Sequence, residues 1–181
     1  MRQRKPNRRR DIDYTRPGFY FVTVCVQNRE CLLGAIRDGT FEPNNNEEIV
    51  RRCWRDLPNH YPHCRLHEFV VMPNHVHGII EITRTNSIVG AGFNVGTGLK
   101  PVPTIAPAKS NIRRHALSEI IRGFKTFSSR AINRADESMT FRWQRSFYDR
   151  VIRNKRELAA VTKYIKENPR HWMEDEENPW R

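Results

Sequence analysis

Apolar residues along the chain change their spacing several times, and each change predicts an element. Gly18 to Gln27 (GFYFVTVCVQ) is dense in aromatic and β-branched side chains and follows Arg16-Pro17, the pattern of a buried strand. From Asn44 to Leu57 the spacing turns helical, with Ile49, Val50, Cys53, Trp54 and Leu57 on one face and an Asn cap ahead of Glu47 and Glu48. Pro58 is expected to end that helix. Leu66 to Met72 and His75 to Ile82 read as two strands joined by a tight Met72-Pro73-Asn74 turn. Residues 83–112 carry several glycines and prolines and little periodicity, which predicts a flexible loop or an insertion. His115 to Asn133 returns to i, i+3, i+4 spacing through Leu117, Ile120, Ile121, Phe124, Phe127 and Ile132, an amphipathic helix with a basic far side. Phe141 to Arg153 alternates enough to be a strand. Lys155 to Asn168 is a last helix closed by Pro169, with Leu158, Val161 and Ile165 facing inward.

The order is β-α-β-β-α-β with an added C-terminal helix. It predicts an α+β chain, a ferredoxin-like split βαβ sandwich whose antiparallel sheet has one face covered by the two crossover helices. With 181 residues, of which 38% are hydrophobic, the chain is sized for a single domain with its own core and is not disordered throughout. Cys25, Cys31, Cys53 and Cys64 show no CxxC spacing, so reduced thiols are expected and neither a disulfide framework nor a zinc knuckle is indicated. No apolar run approaches the roughly 20 residues of a membrane span, and MRQRKPNRRR leads into polar sequence instead of a secretory signal's apolar stretch. A cytoplasmic protein with no membrane partner is expected.

Charge adds a partner class. Against 20 Asp+Glu stand 32 Lys+Arg, a net charge of +12, and the excess is clustered. Six Lys/Arg and no acid fall in residues 1–10, inside a basic N-terminal arm spanning 1–13. Seven lie between Lys109 and Arg134 with only Glu119 opposing them, and six lie between Arg142 and Arg156 with only Asp149. Three basic runs in one domain point to a polyanion such as nucleic acid. The candidate contacts are Arg4, Arg8, Arg9 and Arg10, then Arg113, Arg114, Arg122 and Lys125, then Arg145 and Arg153. The opposing MEDEEN run opens the stretch 174–181, which reads as a solvated acidic tail.

His75-Val76-His77 lies in a predicted strand, where residues two apart share a side, so both imidazoles face one way while Val76, Gly78 and Ile80 face the other. Such a pair can share one cation or stand as ordinary polar residues on a solvated face, and imidazole alone does not name the metal. On the last helix Tyr164 and Asn168 are four residues apart, about 40° apart on one surface, at the edge of the apolar stripe. They are either a core-edge tyrosine and a helix-ending Asn or part of a site.

Three segments, MPNHVHGII, WQRSFYDRVIRN and YIKENP, occur in that order in a small basic chain. Together they resemble the REP-associated tyrosine transposases, a branch of the HUH-superfamily single-tyrosine transposases. The resemblance runs from DYTRPGFYFVTVCVQNRE through EFVVMPNHVHGIIEI to the last helix and leaves out only the loop and the acidic end. It implies that His75, His77 and Asn168 are ligands of Mg2+ or Mn2+, with Asn168 standing where many relatives in the wider superfamily have Gln. It implies that Tyr164 is the nucleophile that cleaves and rejoins single-stranded or hairpin DNA of palindromic repeats through a 5′-phosphotyrosine, as in DNA transposition. A monomer or homodimer is implied. Tyr148 is a weaker nucleophile candidate, because FYDRV reads as strand and no polar ligand follows it at helical spacing; packing or a backbone contact is expected of it. Two rivals remain: a non-catalytic nucleic-acid module on the same sheet, and a metal phosphoesterase that uses water.

Overall fold

Residues 16–37, 40–84 and 115–180 are described by the structure, a computed structural model. The expected basic arm and the 83–112 loop, apart from its first residues, lie outside the described residues, as do Arg4, Arg8, Arg9, Arg10, Arg113 and Arg114.

Four strands, β1 (Gly18–Cys25), β4 (Cys64–Met72), β5 (His75–Ile82) and β6 (Tyr148–Ile152), form one sheet in the order β4-β5-β1-β6 with every neighbouring pair antiparallel. This is the expected split βαβ sheet, and the chain is α+β. One face carries the larger core. Val22, Val24, Val76 and Ile80 from the strands meet Trp54 of α1 (Asn45–Arg55) and Ile120, Ile121 and Phe124 of α3 (Leu117–Ala135). On the other face Phe21, Ile79 and Ile152 pack against Val161 and Ile165 of α4 (Lys155–Glu167).

Local chemistry starts the helices where the pattern said. Asn44 Oδ1 accepts from the Glu47 backbone N–H at 3.1 Å, and Asn154 Oδ1 accepts from Glu157 at 2.9 Å. Each satisfies one of the free N–H groups of a first turn and stabilises its helix by about 1 kcal/mol.

Three expectations need correction. Pro58 does not end the helical run but sits in the first turn of a second short helix, α2 (Leu57–His60), where the missing N–H costs nothing. A small hairpin of β2 (Gly34–Arg37) and β3 (Thr40–Pro43) precedes α1 and had no clear pattern, since four-residue strands offer too little alternation. The strand expected from Phe141 is regular only over Tyr148–Ile152. Upstream of it, Trp143 makes a single antiparallel bridge to Val26, and Phe141, Trp143 and Phe147 are buried, while Lys125 Nζ donates to the carbonyls of Gln144, Arg145 and Ser146 at 2.8, 3.3 and 2.9 Å and holds that backbone to α3.

Gly78 sets the distance between sheet and helix. A Cβ there would lie 2.4 Å from Trp54 Cζ2, in a rigid ring that stacks on Phe69 and meets Phe124 edge-on. Gly78→Ala is expected to lower unfolding free energy by about 1–3 kcal/mol, the usual cost of overpacking, read as a shift in urea midpoint.

Candidate active site

The same alternation that buries Val76 and Gly78 turns His75 and His77 toward the α4 face. Register then aligns His77 with Thr23 on β1, and Thr23 with Tyr148 on β6. The row His77, Thr23, Tyr148 thus crosses three strands on one side of the sheet. Both imidazoles are buried, His75 completely.

Each ring is held through its Nδ1. The Asn74 amide donates to the Arg29 carbonyl at 3.0 Å and to the Glu177 carbonyl at 2.7 Å. Those bonds fix which end of the amide is oxygen. Asn74 Oδ1 therefore accepts from His75 Nδ1–H at 2.8 Å, which leaves a lone pair on His75 Nε2. His77 Nδ1 lies 2.9 Å from Thr23 Oγ1, a hydroxyl able to donate or accept. The two Nε2 atoms face each other at 3.0 Å. Two lone pairs at that distance repel unless a proton or a cation lies between them.

Oxygen atoms converge on the pair. Asp175 Oδ2 lies 3.9 Å from His75 Nε2 and 4.0 Å from His77 Nε2, and Tyr164 Oη lies 3.3 Å from His77 Nε2. Asp175 Oδ1 accepts from the Glu177 backbone at 2.7 Å, whereas Asp175 Oδ2 is buried with no hydrogen-bond partner. Asn168 Oδ1, one turn beyond Tyr164, is likewise buried and unpartnered. Buried acceptors are nearly always satisfied, so the orphaned Asp175 oxygen beside a pair of imidazoles fits a divalent cation. Ligand atoms of His75, His77 and Asp175 all lie within 4.8 Å of one another.

The environments push the three groups apart. Burial, and then the neighbouring His77, holds the His75 pKa well below its ordinary value, so the ring stays neutral, the form that ligates metals. Burial opposes ionisation of Asp175, but the facing His77 imidazole and the hydrogen bond from the Glu177 backbone N–H outweigh it and hold the carboxyl below the usual carboxylate range. Burial and then the Asp175 charge push the Tyr164 phenol up to about 12, against a smaller opposite pull from the Asn168 side chain.

The carboxylate is the candidate ligand that sequence reasoning missed. The expected solvated tail is folded back: Asp175 and Asn178 are buried, Trp172 is buried, and Arg29 pairs with Glu177 at 3.0 Å. Acid density suggested solvent, while Trp172 and the Asn178-Pro179 pair were the signals that the chain keeps folding past Pro169. Lys125 already has partners within the fold. Its ammonium donates to three carbonyls and lies 5.5 Å from the Phe147 ring centroid, which holds the 144–146 backbone. Arg122 is exposed on α3, across the sheet from the histidines; Arg145 and Arg153 are exposed near β6. All four cysteines are free, as expected. Among the described residues no helix is long and apolar enough to cross a membrane.

The four-stranded sheet with its helices is a fold shared with a solved transposase. A solved REP-associated tyrosine transposase bound to a REP hairpin aligns with a TM-score of 0.55 at 20% identity, covering 92% of this chain and 73% of its own. No protein-family model matches the chain. An uncharacterized protein of Haemophilus influenzae is 33% identical over 176 residues, which are 97% of this chain and 93% of that protein. The chain belongs to the same family as that Haemophilus protein.

Two outcomes check the electrostatics. In metal-free protein, stability is expected to fall as pH drops below 6.5, where the unfolded chain protonates a histidine that the fold keeps neutral. It falls again below 3.8, where unfolded Asp175 takes up a proton before the folded carboxyl does, and Asp175→Asn flattens that second fall in urea midpoints measured against pH. Separately, Mn2+ is expected to raise the melting temperature of the wild type, by about 2.7 kcal/mol of stabilisation at 100 times its Kd, and to do nothing for His77→Ala.

Proposed function

We propose that this chain is a metal-dependent DNA strand transferase that cleaves and rejoins single-stranded or hairpin DNA through Tyr164. The single observation that carries the reading is the convergence on one point of two imidazole nitrogens, an orphaned carboxylate oxygen and a phenol hydroxyl. The REP hairpin bound by the structurally similar transposase supports DNA as the substrate. So do the net charge of +12 and the exposed Arg145 and Arg153.

His75, His77 and Asp175 would hold Mg2+ or Mn2+, and the orphaned Asn168 Oδ1 is the candidate fourth protein ligand. When bound, the ion supplies positive charge that offsets the phosphoryl oxygens and favours the phenolate. Tyr164 Oη attacks phosphorus, a tyrosyl–phosphate bond forms, the bond to the 3′-oxygen breaks, and the phenol's proton ends on that oxygen as a free 3′-OH. The reverse attack by a 3′-OH restores the tyrosine and rejoins DNA, so the bond energy is kept in the covalent link and no nucleotide cofactor is consumed. Asn74 and Thr23 act through the rings, holding each imidazole with its Nε2 toward the shared point. Thr23 Oγ1 can donate to His77 Nδ1 when a proton bridges the rings, and accept from it when both Nε2 lone pairs are needed.

Labelled hairpin DNA with an unpaired flank, incubated with Mn2+, tests the reading. A covalent protein–DNA adduct is expected in the wild type and absent in Tyr164→Phe, with Asp175→Ala losing at least about 100-fold in rate, the scale of a lost ligand shell. Cleavage with no adduct overturns the transferase in favour of hydrolysis, and binding without cleavage leaves only a nucleic-acid module.

A further inference from the structure

Tyr148 takes no part in the chemistry described, yet it opens β6 on the active-site side of the sheet, aligned with Thr23. Its side chain is 50% exposed, and it lines a groove of about 700 Å³ together with Phe21, Thr23, His77, Tyr164 and Asp175. The Phe21 ring meets both tyrosines edge-on, Tyr148 at 6.4 Å and 69° and Tyr164 at 6.0 Å and 79°. One buried phenyl therefore sets the attitude of two phenol rings at the two sides of the groove.

The backbone beneath Tyr148 is fixed. Phe147 is buried, Lys125 ties down the three preceding carbonyls, and residues 148 to 152 are hydrogen-bonded to β1. An aromatic ring on so fixed a support, with a face left to solvent, has already lost most of the freedom that stacking would cost. Every nucleobase has a π-face, and base–aromatic stacking is the usual way a strand is held without reading its sequence. From β5 to β6 is two strand spacings, about 10 Å, so a base beside the reacting phosphate reaches the far wall of the groove while the phosphate stays at Tyr164.

We propose that Tyr148 is the stacking platform for the unpaired base that flanks the phosphate attacked by Tyr164, and so positions the strand for attack. The inference rests on the proposed function but concerns binding, and it is tested without cleavage. In a Tyr164→Phe parent, affinity for a fluorescent hairpin with an unpaired flank is measured by anisotropy for Tyr148→Ala and Tyr148→Phe. Tyr148→Ala is expected to weaken binding about 5- to 100-fold and Tyr148→Phe to stay within about twofold of the parent. An abasic nucleotide at one flank position should reproduce the loss in the parent and add nothing in Tyr148→Ala, a coupling that general loosening of the fold would not produce.

Parent-like binding by Tyr148→Ala overturns the inference, as do additive losses at every abasic position. Tyr148→Phe as weak as Tyr148→Ala also overturns it and assigns the role to the hydroxyl. A coupled loss in a protein whose wild type forms no adduct leaves the platform standing and removes the transferase. A parent that binds no unpaired DNA removes both.

Discussion

The pairing of β1 with β5 is the constraint on which the rest depends. Strand side chains alternate with a period of two, so a slip of one residue would send His75 and His77 into the core beneath Trp54 and turn Val76 and Gly78 toward α4. The core forbids that slip, because only a glycine fits under the Trp54 ring. Hydrophobic packing on one face thereby aims polar chemistry on the other. No histidine interaction has to be strong enough to position itself.

Electrostatics build on that geometry. Burial keeps the His75 imidazole neutral and opposes ionisation of the carboxyl, yet the carboxyl stays ionised because the His77 imidazole faces it and the Glu177 backbone N–H donates to it. A buried anion beside the neutral His75 ring is unfavourable unless something positive joins it. The phenol feels the same carboxylate as repulsion, which makes the protonated tyrosine the resting form. The proposed cation would reverse the sign of that influence, tying the readiness of the nucleophile to occupancy of the ligand shell.

Much of this was legible in the sequence because it depends on period and local chemistry. β1, the β4–β5 hairpin, α3 and α4 follow from apolar spacing, Asn44 from the capping rule, and the common side of His75 and His77 from strand parity. What was not legible depends on contacts distant in sequence. The alternation of Phe141 and Trp143 is that of a strand only as far as one bridge from Trp143 to Val26, beyond which a lysine from another helix binds the backbone. Asp175 is indistinguishable in composition from the glutamates around it, and only the fold shows which acid is turned inward. Tyr148 was correctly placed on a strand, but a strand pattern does not say that its neighbour across the sheet is the threonine that holds a histidine.

One amide joins distant parts of the chain. Asn74 bonds the Arg29 carbonyl, the Glu177 carbonyl and the His75 ring. During synthesis the two histidines leave the ribosome about a hundred residues before the carboxylate that completes their surroundings. Until residue 177 has emerged, the nascent chain can build its sheet but lacks both the carboxylate that faces the two imidazoles and the carbonyl that anchors the Asn74 amide.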